Sequence, residues 1–417
     1  MHNQSTKRQP LRWANFFHVY QPPNWSPAIV RKVARESYRP LCAILTKNPR
    51  IKITLNVTGS LTEQLAECGQ ADIIGRIARL AKRKQIELTG SAQYHPILPL
   101  IPAHEIRRQV KLNARVNRLH FGPVYRPRGF FPPEMAYGGK IAPVIEKLGY
   151  RWLIADEISK NGTLSTTLFN ARYRIKNTQL NIVFRNRVIS DYFSFHGNPK
   201  RLESFWETIR QDSRSGTALI TAMDGENLGH HRKGWDSYWK RLVTSHNIRT
   251  VTMSELLHTY TKNEVISPRK ASWSTQEREM RRGNPYVLWN DPHNDIHKNQ
   301  WELLRRVTAL IERHKAHENY ATARELLDRR YASDQFWWAS AKPWWSLEII
   351  SKKTGELLSA ADLVSPRDPQ AVKLASTIIS LARTWQQKMT FRSTADSYLA
   401  TNEGAAVRFL GGKKISA

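Results

Sequence analysis

Short apolar runs alternate with amphipathic stretches over the first ~260 residues, and this alternation leaves few folds open. The clearest unit begins at Gly129-Phe130-Phe131, which reads as a strand end. Pro132-Pro133 then keeps a helix from starting at once. Ile141, Val144, Ile145 and Leu148 recur at helical spacing, Gly149 is a helix stop, and residues 150–155 form the next strand. Strand, crossover helix and strand imply a parallel sheet. The same reasoning predicts strands at 13–19, 51–57, 86–89, 181–184, 218–223 and 249–253. Ser60-Leu61-Thr62-Glu63 matches a capping box that opens a helix, and Ile73, Ile77 and Leu80 mark a second helical face. Seven or eight such strands suit a barrel better than a small open sheet.

From residue 264 the texture changes. Pro268, Ser272 and Ser274 mark a loop or linker. Helical patterns follow at 301–317, 321–331, 346–362 and 369–389, and no strand is expected among them. The expected organisation is therefore an α/β barrel domain over 1–263, a helical region over 264–400 and a flexible tail over 401–417.

Composition narrows the function classes. No run approaches ~18 consecutive apolar residues, so no membrane span is expected. The polar, basic start has no signal-peptide pattern. Cys42 and Cys68 are the only cysteines, too few for a disulfide framework, and their spacing suits no Cys-type metal site. A reducing cytoplasm fits. The net charge of +30 would suit a nucleic-acid partner, but Lys and Arg are spread along the chain and no binding motif accompanies them. Nucleic acid is therefore not the expected partner.

With 65 Lys and Arg against 35 Asp and Glu, carboxylates at strand exits stand out. Barrel enzymes gather their functional groups at the C-terminal strand ends. Glu134, Asp156, Glu157, Asp191, Asp224 and Glu226 hold such positions, together with His18 and His95. Two carboxyls roughly 5–5.5 Å apart would suit a retaining glycosidase, one attacking and one transferring the proton. Local pattern does not rank Glu134 above Asp156, Glu157 or Asp191.

Five ordered motifs make that choice. Phe17-His18-Val19-Tyr20-Gln21-Pro22-Pro23 is the first and Gly90-Ser91-Ala92-Gln93-Tyr94-His95-Pro96-Ile97-Leu98-Pro99-Leu100 the second. Phe131-Pro132-Pro133-Glu134-Met135-Ala136-Tyr137 and Met223-Asp224-Gly225-Glu226 follow, then Ser333-Asp334-Gln335-Phe336-Trp337-Trp338. Together they resemble glycoside hydrolase family 57, whose members act on α-glucans with retention. The resemblance implies an incomplete seven-stranded (β/α) barrel followed by a helical C-terminal region. It implies that Glu134 is the nucleophile and Asp224 the general acid and base. It implies sugar contacts from His18, Gln21, His95, Asp334, Trp337 and Trp338, and more loosely from Arg185. The third motif departs from the family's common Trp-Leu-Pro-Glu-Cys.

The expected function is a cofactor-independent, metal-independent retaining hydrolase of α-glucans or maltooligosaccharides. One alternative is a 4-α-glucanotransferase using a sugar acceptor. The family's transferases and branching enzymes usually carry larger insertions or an added C-terminal domain, so the chain's length favours hydrolysis. An alternative of another class is a non-catalytic carbohydrate- or nucleic-acid-binding protein. A seven-stranded barrel also resembles polysaccharide deacetylases, which need an Asp and a His-x-x-x-His pair as metal ligands. His293 and His297 have that spacing but lie beyond the last expected barrel strand, and read as a loop or helix start. Oligomeric state is not encoded in any of these features.

Overall fold

The computed structural model describes residues 10–23, 25–212, 218–342, 344–392, 398–399 and 407–408. Apart from 407–408, the tail expected over 401–417 lies outside the described residues. Two compact units are present. One comprises Met1–Gln93 and Leu98–Glu277, the other Tyr94–Ile97 and Arg278–Ala417.

The first unit is built on parallel strands. β1 (Leu11–Val19), β2 (Ile53–Val57), β3 (Ile86–Thr89) and β8 (Ala218–Asp224) pair in the order β3-β2-β1-β8, with β9 (Ile248–Val251) also alongside β1. β4 (Gly129–Phe130), β5 (Trp152–Asp156) and β7 (Asn181–Arg185) form a second parallel set. A few hydrogen bonds join the sets. Gly90 bridges Phe130, its N–H donating to the Gly129 carbonyl at 2.9 Å and its carbonyl accepting from Phe131 N at 2.8 Å, while the Asn186 N–H donates to the Ile220 carbonyl at 2.8 Å. The seven strands β1, β2, β3, β4, β5, β7 and β8 therefore follow one another around a barrel whose two seams are barely hydrogen-bonded. β6 (Arg172–Ile175) runs antiparallel to β7, and β10 (Asn263–Ile266) is parallel to β6.

These elements form for local reasons. β8 is a near-continuous apolar run, whereas β2 alternates Ile53, Leu55 and Val57 with Thr54 and Asn56, and all of these are buried. The helix Ala71–Lys82 buries Ile73, Ile74, Ile77 and Leu80, and Gly149 turns with φ 91° after the helix Ile141–Lys147. The expected capping box at Ser60 is displaced: Thr58 is the N-cap of Gly59–Glu67, its side chain accepting from Leu61 N. Ser60 lies inside the helix and donates to Thr58 Oγ1. The 19-residue helix Ala103–Phe121 has no counterpart in the sequence reading. Its buried face includes Gln109, Asn113 and Asn117. Asn113 accepts from Gly59 N at 2.7 Å and Asn117 from Thr62 Oγ1 at 2.7 Å, so these amides are satisfied by protein.

The second unit is mainly helical. Asp295–Arg313, Tyr320–Arg330, Leu347–Asp362 and Pro369–Arg392 match the expected periodic stretches, with Asn294 and Ser346 as side-chain caps. Buried Arg324 bonds Asp328 at 2.9 Å and Glu312 at 3.0 Å. Strands were not expected beyond residue 264. Trp344–Trp345 nevertheless pairs with Val407–Arg408, which pairs with Tyr398–Leu399, all antiparallel. Two-residue strands carry too little alternation to be read from sequence. Among the described residues, no helix is long and apolar enough to cross a membrane.

Candidate active site

β1 and β8 run in register, so that His18 stands beside Asp224. On its other side His18 pairs with Asn56 of β2. Asn56 Oδ1 lies 2.8 Å from His18 Nδ1, while the Asn56 amide nitrogen donates to Thr89 Oγ1 and to the Gly90 carbonyl. That arrangement fixes the amide's orientation and puts the imidazole proton on Nδ1, leaving Nε2 the acceptor position of the ring. Burial lowers the His18 pKa to about 3, against the smaller opposing effect of the Asn56 hydrogen bond. The ring is therefore neutral and stacks on Phe131, with centroids 4.2 Å apart.

Glu134 follows β4 on a short 3₁₀ turn with φ 58° and ψ 19°. Met135 is left-handed as well, at φ 47°. Non-glycine residues in this region store strain of order ~1–3 kcal/mol each, held in place by their surroundings. Those surroundings are the backbone of 271–273. Tyr137 N donates to the Ala271 carbonyl at 2.8 Å, and Trp273 N donates to the Glu134 carbonyl at 3.1 Å. Trp273 Nε1 then donates to Glu134 Oε2 at 2.8 Å. The Trp273 ring also stands edge-on to His18 and Phe131, at 6.2 and 5.8 Å. This stretch is irregular backbone, in keeping with a loop, but it is integral to the site. Trp273, which contacts Glu134 here, is not among the candidates read from the sequence.

Asp224 is half-buried by exposed area, yet protein crowds its carboxyl closely enough that burial pushes its pKa up to about 6. The charge of Arg185 opposes that rise. Arg185 is itself buried and spent on protein partners. Its Nε bonds Asp156 at 2.6 Å, Nη1 the Ala222 carbonyl at 3.1 Å and Nη2 the Trp273 carbonyl at 3.3 Å. Nη2 also lies 3.3 Å from Asp191.

The rival carboxylates now separate from Glu134 and Asp224. Asp156 is fully buried and clamped by Arg185 and Arg187. Glu157 accepts from Arg187 N at 2.9 Å and Ser165 N at 3.2 Å. Asp191 faces Arg185. These acids brace the arginines. Gln21 is buried, and its amide donates to Glu226 at 3.3 Å and to Tyr38 at 3.4 Å.

The remaining site candidates stand in the second unit. His95 has a left-handed backbone, φ 57°, and its Nδ1 is 3.1 Å from Ser333 Oγ. Its carbonyl accepts from Ser333 N at 3.2 Å, so the second motif is joined to the fifth. Asp334 opens a short helix, and Trp337 and Trp338 are half-buried with ring centroids 6.2 Å apart. His297 is a core residue: its Nδ1 accepts from Asp291 N at 3.1 Å and its Nε2 lies 2.8 Å from the Phe336 carbonyl. Among the described residues, no three His, Cys, Asp or Glu side chains form a metal-binding group.

A 23% identical relative named an alpha-amylase, from Pyrococcus horikoshii, aligns over 60% of the chain and 40% of its own length. A 4-alpha-glucanotransferase from Thermococcus litoralis is 23% identical over 60% of the chain and 39% of its own length. The chain thus spans about 40% of the length of these relatives. A GH57-type branching enzyme from Pyrococcus horikoshii shares the fold, with TM-score 0.68 at 16% identity over 90% of this chain and 95% of that one. The family model described as Glycosyl hydrolase family 57 matches residues 2–269, and the chain belongs to that family.

Proposed function

We propose that the protein is a retaining glycoside hydrolase that cleaves α-glucosidic bonds of α-glucans or maltooligosaccharides. Glu134 attacks the anomeric carbon and forms a glycosyl-enzyme bond. Asp224 gives its proton to the leaving glycosidic oxygen, then takes one from the incoming water. The observation that carries this reading is the contrast between the two carboxyls. Asp224 is crowded by protein and holds a proton to about pH 6, whereas Glu134 is oriented by an indole N–H on a strained turn. Asp224 therefore suits the acid, and Glu134 the nucleophile.

His18 presents an acceptor nitrogen, so its contact with sugar would be from a hydroxyl donating to Nε2. Arg185 acts on Asp224 through its charge. His95, Asp334, Trp337 and Trp338 are assigned to sugar binding on the strength of their motifs, Trp337 and Trp338 offering ring faces to sugar C–H groups.

Turnover of starch and maltooligosaccharides by the wild type, Glu134→Gln and Asp224→Asn tests the reading. Each variant should lose at least ~10²-fold in kcat, the scale of a general acid or nucleophile. Wild-type rates in either variant would remove that residue's role. Products longer than the substrate would identify a 4-α-glucanotransferase, with a sugar replacing water.

A further inference from the structure

The barrel carries a groove that the mechanism above does not use, at the end opposite Glu134 and Asp224. Its residues 122–127 lead into β4 and its residues 148–150 into β5, so it lies at N-terminal strand ends. Glu134 follows β4, and Asp224 closes β8. One wall is the solvent side of the helix Ala103–Phe121, with Lys111, Arg115 and Arg118. Arg126 lines the groove from the segment before β4. All four cations are exposed, and among the described residues none of them bonds a carboxylate. No Asp or Glu is among the described residues that line the groove. The nearby Glu146 carboxylate accepts instead from Gln179 N at 2.5 Å.

The groove is preformed. Buried Tyr125 lines it, its hydroxyl accepting from Asn113 at 3.1 Å and donating to the Thr89 carbonyl at 3.3 Å. Tyr150 is packed so closely that a Cβ on Gly90 would lie 2.2 Å from its hydroxyl. Arg151 N donates to the Arg128 carbonyl at 2.7 Å, tying the two lining segments together. The cavity volume is about 1120 Å³. Sites for small molecules span roughly 300–1,000 Å³, so there is room for more than one anionic group. The helix dipole accounts for a cation in the last turn, which is Arg118, but not for Lys111, Arg115 or Arg126.

We propose that this groove binds a soluble oligophosphate, a ligand of two or more linked phosphate groups up to the size of a nucleoside triphosphate. Three of the four cations are arginines, whose planar guanidinium pairs two-fold with phosphate oxygens. Lys111, Arg115 and Arg118 are spaced ~6 and ~4.5 Å along the helix axis, so a single phosphate would leave cations unmatched. A phosphate carries about −1.5 to −2 charges at neutral pH, so two or three match four cations, whereas a peptide would have to crowd four carboxylates into the same space. A membrane surface would meet cations on a flat face, and these line a concavity. Single-stranded nucleic acid needs open aromatic faces for its bases, but Tyr125 and Tyr150 are buried.

Calorimetric titration of sodium tripolyphosphate and of ATP into the full chain tests this, in about 0.15 M salt where diffuse attraction is screened. Both ligands should bind at one site per chain with similar Kd, at or below about 100 µM. The double variant Arg115→Gln/Arg118→Gln should weaken both by at least ~10-fold, and so should Arg126→Gln from the other wall. Lys82→Gln/Arg83→Gln removes the same charge from another exposed patch and should leave Kd within about twofold. Circular dichroism checks that each variant is folded, and if the helix double variant is not, Arg126→Gln decides. Tripolyphosphate that does not saturate a site overturns the proposal, as does equal weakening by the two double variants. Hexaglutamate bound as tightly as tripolyphosphate would show that charge alone is read, and overturns it. Oligothymidylate bound more tightly than ATP, and weakened by the same variants, would reassign the groove to nucleic acid. None of these readouts uses glucan turnover, so the proposed function stands or falls separately.

Discussion

Trp273 holds Glu134 twice: its indole N–H donates to Oε2 at 2.8 Å and its backbone N–H to the Glu134 carbonyl at 3.1 Å. The first bond orients the carboxylate and the second supports its left-handed backbone. Trp273→Phe keeps an aromatic ring and the backbone bond but deletes the indole donor. A hydrogen bond to a charged group contributes about 1.5–3 kcal/mol, so kcat on maltooligosaccharides should fall on the order of 10- to 100-fold, with the fold intact by circular dichroism. An unchanged kcat would show that the indole only packs.

Asp224 makes a stability prediction with a definite sign. Its carboxyl titrates at about 6 in the folded chain against 3.8 ordinarily, so between those values the folded state binds more protons than the unfolded one. Its contribution to stability therefore declines as pH rises through that window. Asp224→Asn should raise Tm at pH 7, and the gain should fade toward pH 4. A lower Tm at pH 7 would contradict the burial argument.

His18 should stay neutral far into the acid range, with its pKa at about 3. Asn56→Asp would place a carboxylate against Nδ1 and favour the imidazolium. The His18 titration followed by nitrogen NMR should move upward. A titration that stays put would mean that the Asn56 contact does not govern the ring.

Arg185→Met leaves Asp156, fully buried, with Arg187 as its remaining arginine partner. Breaking a buried ion pair costs about 3–5 kcal/mol, which urea unfolding would report. The same substitution removes the charge that restrains Asp224, so Asp224 should titrate above about 6.

β8 was legible as a continuous apolar run and β2 as an alternation, and Glu134 and Asp224 fall where β4 and β8 end. Their separation from Asp156 was not legible from local pattern, since it depends on arginines 29 and 31 residues away in sequence. The helix Ala103–Phe121 is hard to read from sequence because Gln109, Asn113 and Asn117 interrupt the apolar pattern of its buried face. β6 escaped because Arg172 and Arg174 interrupt it, leaving two apolar positions. Trp273 sits between two serines in an irregular stretch, and the family match stops short of it at residue 269. Its importance comes from a pairing across 139 residues, which no local window contains.

That long pairing also sets an order of assembly. A ribosome releases all seven barrel strands before it reaches Trp273, so the nascent chain carries Glu134 for well over a hundred residues of synthesis without its indole partner. Glu134 would acquire this orientation only when the segment after β10 returns to pair with residues 134–137. The geometry around Glu134 would thus be a late product of biosynthesis.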